Sequence, residues 1–206
     1  MKYVYRVVNA LLALAVFPTL YFVDLIYAEM SVSLIKKAAV YESLSIKEIV
    51  DIFTGKSDYS TLLSIFKVDT SSVFKWPQEF NILNTRLIVI GVLLAVMLLA
   101  ALFIFIFSCV SGKRIPVLVS SAVGLVSIIA ANIVFKSVAA EFTSGNINVV
   151  KALSGGGLIQ SIVGTVVNID SVRFAGFQNA EIMIFAGLIT WTAIFYLSEF
   201  GDTEKK

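Results

Sequence analysis

The chain has no histidine and a single cysteine, Cys109, among 206 residues. Without histidine no Ser-His-Asp or Cys-His pair can form, and a zinc site of the usual Cys/His kind is excluded. One cysteine makes no disulfide within a chain. Lying in an apolar run, Cys109 reads as a small buried hydrophobe. Outer segments free of cysteine lean toward a bacterial envelope rather than a disulfide-forming compartment. Charge is scarce as well. Asp, Glu, Lys and Arg make up 15% of the chain, against about 25% in an ordinary soluble domain. The net charge of +2 leaves no basic field for nucleic acid. The glycine-rich stretch 154–161, SGGGLIQS, lacks the G-K-[ST] ending of a phosphate loop and reads as a turn. No nucleotide, metal or cofactor is implied. A Ser-Lys arrangement around Lys136 or Lys151 has no motif behind it, so the expectation is a protein that is not an enzyme.

Apolar sequence, by contrast, is abundant: 58% of residues are hydrophobic and mean hydropathy is +0.92. Four runs are long enough for the roughly 20 apolar residues that a bilayer core demands. They are Val7–Tyr27, Leu87–Val110, Ile115–Phe135 and Ile182–Leu197, the last extending toward Phe200. Lipid offers the backbone no hydrogen bonds, so each run is expected to be a helix. The first run is longer than a signal-peptide core and is read as retained. Pro18 within it removes one amide donor and should bend it.

Lys113 and Arg114 sit in the short link between the second and third runs; Lys2 and Arg6 precede the first, and Lys205 and Lys206 close the chain. An even number of spans puts all of them on one side, and the positive-inside rule makes that side cytoplasmic. The expected plan is residues 1–28 for the N-terminal tail and first span, 29–86 outside, 87–110 second span, 111–114 inside, 115–135 third span, 136–181 outside, 182–200 fourth span and 201–206 inside. The predicted fold class is an all-α four-helix transmembrane bundle with a small α+β extracytoplasmic cap. The predicted location is a bacterial plasma membrane, both termini cytoplasmic.

Within 29–86, residues 31–40 partly alternate and predict a strand. Ser45 and Glu48 have capping-box spacing before the apolar positions Ile49, Val50 and Phe53, and predict a helix over 46–54. A second helix is expected over 59–67. Trp76 beside Pro77 suits an interfacial anchor, or equally the core of the outer domain. Within 136–181, Thr143–Asn146 signals a turn, 147–153 a strand, 158–169 a strand or surface helix, and 171–177 a strand. Each outer segment is too poor in apolar surface to fold well alone. One composite cap is expected, its sheet mainly from the second segment.

Asp24, Arg86, Lys136 and Glu181 all fall near the outer ends of spans, where they would form a ring of charges. Such a ring serves as a structural ion-pair cluster or as a mouth for ions or substrate. In the third span Ser120, Gly124, Ser127 and Ala131 share one helix face, with Asn132 beside them. That small-residue stripe permits close helix approach, or lines a pore or a subunit contact. Gly91 with Ala95, and Gly187 with Trp191, make weaker stripes.

The plan of four spans, inner termini and two outer segments resembles claudin-like tetraspan proteins and connexin-type channels, and it shares its span count and large first outer segment with FtsX-like transporter subunits. The first two use outer cysteines that this chain lacks, and claudins a W-GLW-C-C motif where it has Trp76 alone. The likeness is one of plan and assigns no family. The leading expectation is a non-enzymatic membrane protein whose cap binds protein partners or its own copies. The alternatives are an oligomeric channel with the third span near its axis, and a lipid-handling or transporter-associated envelope protein. The bilayer itself is the one partner implied directly.

Overall fold

A computed structural model describes residues 2–32, 39–48, 78–110, 113–146 and 167–203. The elements run α1 (Lys2–Phe22), β1 (Ile26–Val32), β2 (Ala39–Leu44), a 3-10 stretch (Gln78–Leu83), α2 (Asn84–Val110), α3 (Arg114–Thr143), β3 (Val167–Phe174) and α4 (Gly176–Thr203). Among the described residues, all four α-helices contain segments long and apolar enough to cross a membrane, as an integral membrane protein requires. Their outward faces carry Leu11, Val92, Phe103, Ile106, Val126, Ile133 and Ile194, all exposed. Such continuous apolar surface would be a liability in water and is what hydrocarbon demands.

The helix ends differ from the sequence expectation in ways the local chemistry explains. Helix α1 stops at Phe22 rather than running to Tyr27. Beyond it Ile26 and Tyr27 are taken into a strand, paired with Phe174 and Arg173. Helix α3 runs eight residues past Phe135, because Lys136–Thr143 is rich in good helix formers. It ends where the turn signal predicts. The Ser144 amide donates to the Ala140 carbonyl at 2.9 Å, and Gly145 adopts φ 73°, the left-handed conformation of a helix C-cap glycine. Helix α4 begins at Gly176, so Phe177, expected in a strand, is helical.

The chain divides into two compact units. The first comprises Met1–Val23, Ile90–Asn132 and Gly176–Lys206; the second comprises Asp24–Val89 and Ile133–Ala175.

In the first unit the buried positions follow the three-four spacing of packed helices. Tyr5, Asn9, Ala13 and Val16 do so on α1, Met97, Ala101, Ile104 and Ser108 on α2, and Phe177, Glu181, Phe185, Leu188 and Thr192 on α4. Helices α1 and α4 are antiparallel: the Tyr5 and Phe195 rings lie 5.4 Å apart, while Val23 abuts Gly176 at the other end. Arg6 fastens α1 to α2, donating from Nε to the Ser108 carbonyl at 2.7 Å and from Nη2 to the Cys109 carbonyl. Those carbonyls close the last turn of α2 and have no amide partner within it, so the guanidinium acts as its C-cap. Cys109 is exposed, against the expectation of burial. It follows Ser108 by one position, and Ser108 holds the inward-facing place on the helix.

The second unit contains a three-stranded antiparallel sheet in the order β2-β1-β3. Among the described residues, two strands come from the first of the expected outer segments and one from the second. The predicted strand over 31–40 overlaps the end of β1 and the start of β2. A bulge between Glu29 and Met30 leaves Asp170 of β3 without an opposite residue. On one face Tyr27 stands under the Arg173 guanidinium, 4.7 Å from ring to cation, and Ser171 Oγ donates to Glu29 at 3.2 Å. On the other face Phe174 is buried and stacks on Phe135 of α3, with ring centroids 4.1 Å apart. The capping box forms as its spacing predicts. The Ser45 amide donates to Glu48 Oε2 at 2.7 Å and the Glu48 amide to Ser45 Oγ at 3.2 Å. The remainder of that predicted helix, the helix over 59–67, the strand over 147–153 and most of 158–169 lie outside the described residues.

Candidate functional site

Of the four charges expected to form a ring, Asp24, Arg86 and Lys136 belong to the second unit and do not pair with one another among the described residues. Arg86 instead bonds Glu141, two turns of α3 beyond the expected end of the span. The Nη1 to Oε1 distance is 2.8 Å, and the same nitrogen reaches the Ser137 carbonyl at 3.2 Å. Glu141 is held from its other oxygen by Asn146 Nδ2 at 2.9 Å. The chain Arg86–Glu141–Asn146 thus ties the start of α2 to the turn that ends α3, within the second unit. Asp24 lies past the end of α1, half-buried in the link to β1, and Lys136 is exposed.

Glu181 belongs to the first unit and is fully buried, neither carboxylate oxygen having a hydrogen-bond partner. It occupies the core stripe of α4 between Phe177 and Phe185. An unpaired carboxyl in a helix core is expensive to retain, which makes it a candidate functional group in its own right.

The small-residue stripe faces inward. Gly124 and Ala131 are buried, Ser127 is nearly so, and Ser120 and Asn132 are half-buried. A methyl group built on Gly124 would come within 2.2 Å of Phe185 Cε1, so this glycine exists to seat the phenyl ring. Gly91 and Gly187, from the weaker stripes, have nothing within 4 Å of such a methyl group. The same spacing is used for close packing in one helix and left unused in two. Trp76 lies outside the described residues.

A second polar layer gathers at the opposite end of the first unit. Tyr5 Oη, both side-chain polar atoms of Asn9, Ser108 Oγ, Trp191 Nε1 and Thr192 Oγ1 are all buried without a hydrogen-bond partner. The antiparallel register places Asn9 level with Trp191 and Thr192, one turn in from the Tyr5–Phe195 contact. The Arg6 bond to the Ser108 carbonyl brings α2 to the same level. Trp191 packs on Phe195 at 4.7 Å. Arg114 closes this end, donating from Nη1 to the Phe195 carbonyl, its guanidinium 5.5 Å from the Tyr5 ring. Asn9 and Ser108 stand out in the sequence as isolated polar residues within spans. That they fall at one level with Tyr5, Trp191 and Thr192 does not, because it depends on how three helices separated along the chain come together.

Among the described residues no three His, Cys, Asp or Glu side chains gather as a metal site would need. The chain matches no family model, no curated protein and no solved structure.

Proposed function

We propose that this chain is a four-pass membrane protein whose two extracytoplasmic segments join into one cap that binds another protein or a second copy, without catalysing a reaction. The observation that carries the proposal is the shared sheet. Strand β1 from the first segment is flanked by β2 of its own segment and by β3, well over a hundred residues later. Two segments that pair in this way offer one surface rather than two separate loops. One sheet face is occupied by the Phe174–Phe135 stack. The other presents Tyr27, Glu29, Ser171 and Arg173, with Arg173 exposed. Aromatic and arginine side chains are the types enriched where proteins associate.

The inward direction of the Ser120–Ala131 stripe and the seating of Phe185 on Gly124 support a packing role for the third span. They weigh against a pore lined by that stripe. A multi-copy channel remains the competing reading. Ion flux from liposomes that disappears on Ser127→Leu or Asn132→Leu would establish it.

The sidedness is tested in a Cys109→Ser background with single cysteines at Asn146 and Lys113. A membrane-impermeant maleimide applied to intact cells is expected to label the first and spare the second. For association, photocrosslinkers at Tyr27 and Arg173 are expected to give a discrete adduct on the full-length protein in cells, and one at Lys113 none. Equal crosslinking from all three positions would remove the basis for the cap as a binding surface.

A further inference from the structure

We infer that the polar layer around Asn9 is a water-binding site, a small hydrated chamber in the core of the first unit at the Arg6 and Arg114 end. Six polar atoms on Tyr5, Asn9, Ser108, Trp191 and Thr192 are buried there without a hydrogen-bond partner. Hydrocarbon surrounding the helices can satisfy none of them, and each unsatisfied group costs free energy. A buried water makes about three hydrogen bonds. The six atoms would therefore engage on the order of two waters, each bridging helices that the side chains do not bridge directly.

Chemistry at this level excludes other small occupants. Among the described residues no acidic side chain belongs to the layer, and two guanidiniums, Arg6 and Arg114, flank it, which disfavours a cation. An anion is poorly served, because Arg6 is committed to the Ser108 and Cys109 carbonyls and Arg114 donates to the Phe195 carbonyl. The donors and acceptors are mixed, as water requires: indole and amide N–H groups, three hydroxyls, and the Asn9 carbonyl oxygen. One turn further into the core along their helices lie Ala13, Ile104 and Leu188, all buried.

The test is hydroxyl-radical footprinting of the full-length protein in lipid nanodiscs, with radicals generated in place by a pulsed X-ray beam. Radicals born from bound water oxidise neighbouring side chains that bulk solvent does not reach. Tyr5 is 2% exposed, while Phe177 and Phe185 are fully buried in the same unit and serve as dry references. Tyr5 is expected to oxidise at least several-fold faster than either phenylalanine. In the Asn9→Leu/Thr192→Val variant that excess is expected to vanish, with Tyr3, 81% exposed, unchanged. Oxidation of Tyr5 no faster than Phe177 and Phe185 in the wild-type protein overturns the inference, whether or not the variant folds. So does a folded variant in which Tyr5 labels as before.

Discussion

Replacing Gly124 by alanine adds one methyl group where the core has no room for it. The new Cβ would lie 2.2, 2.5 and 2.7 Å from Cε1, Cζ and Cδ1 of Phe185. The ring is the far end of its side chain, but it is fully buried, so it cannot swing into open space. Overpacking of this kind costs about 1–3 kcal/mol. Alanine also gains about 1 kcal/mol over glycine in helix propensity, which partly masks that cost. Gly91 and Gly187 supply the correction, since a methyl group at either meets nothing within 4 Å. Gly91→Ala and Gly187→Ala should be neutral or mildly stabilising, and Gly124→Ala should fall below them by roughly 1–3 kcal/mol. Loss of helical circular dichroism on titration with SDS in mixed micelles measures the difference. Phe185→Leu, which vacates the contested space, should recover much of the loss in the double variant, with a coupling of roughly 0.5–3 kcal/mol. If Gly124→Ala is as stable as Gly91→Ala, or if the two sites do not couple, then Gly124 is not there to seat Phe185 and the inward direction of the stripe loses its support.

The remaining predictions concern the second unit. Gly145 holds φ 73°, where a side chain costs roughly 1–2 kcal/mol. Gly145→Val should therefore destabilise the end of α3, with Gly145→Asn milder, read by hydrogen exchange of the Ser144 and Gly145 amides. Ser45→Ala removes the acceptor for the Glu48 amide and should cost about 0.5–2 kcal/mol, seen as faster exchange at Glu48. In a double-mutant cycle, Arg86→Gln and Glu141→Gln should couple and the coupling should shrink with added salt. Arg86→Gln and Asp24→Asn should not couple. The opposite outcome would restore the ring of charges.

Much of the architecture is legible in the amino-acid order because the relevant physics is local. Four helices follow from four apolar runs, since a backbone in hydrocarbon has no other way to satisfy its amides. The capping box at Ser45 and Glu48 and the turn at Gly145 were readable for the same reason, as each is decided within a few residues. The boundaries were not. Ile26 and Tyr27 continue an apolar run, yet they become a strand because Phe174 and Arg173 lie opposite them. Lys136–Thr143 reads as leaving the membrane, yet it stays helical because nothing stops the helix before Gly145.

What the order of residues determined by itself is the count of spans, their helical state and the chemistries closed off by the missing histidine and the lone cysteine. Only the tertiary structure decided which residues meet. It chose Glu141 over Asp24 for Arg86, left the Glu181 carboxylate without a hydrogen bond in the core, and set Asn9, Ser108 and Thr192 at one level on three helices. It also gave a purpose to Gly124 and none to Gly91 or Gly187, though all three sit in similar patterns. The reason is that spacing along a helix fixes which side chains share a face, while the element that comes to lie against that face is set by contacts between distant parts of the chain.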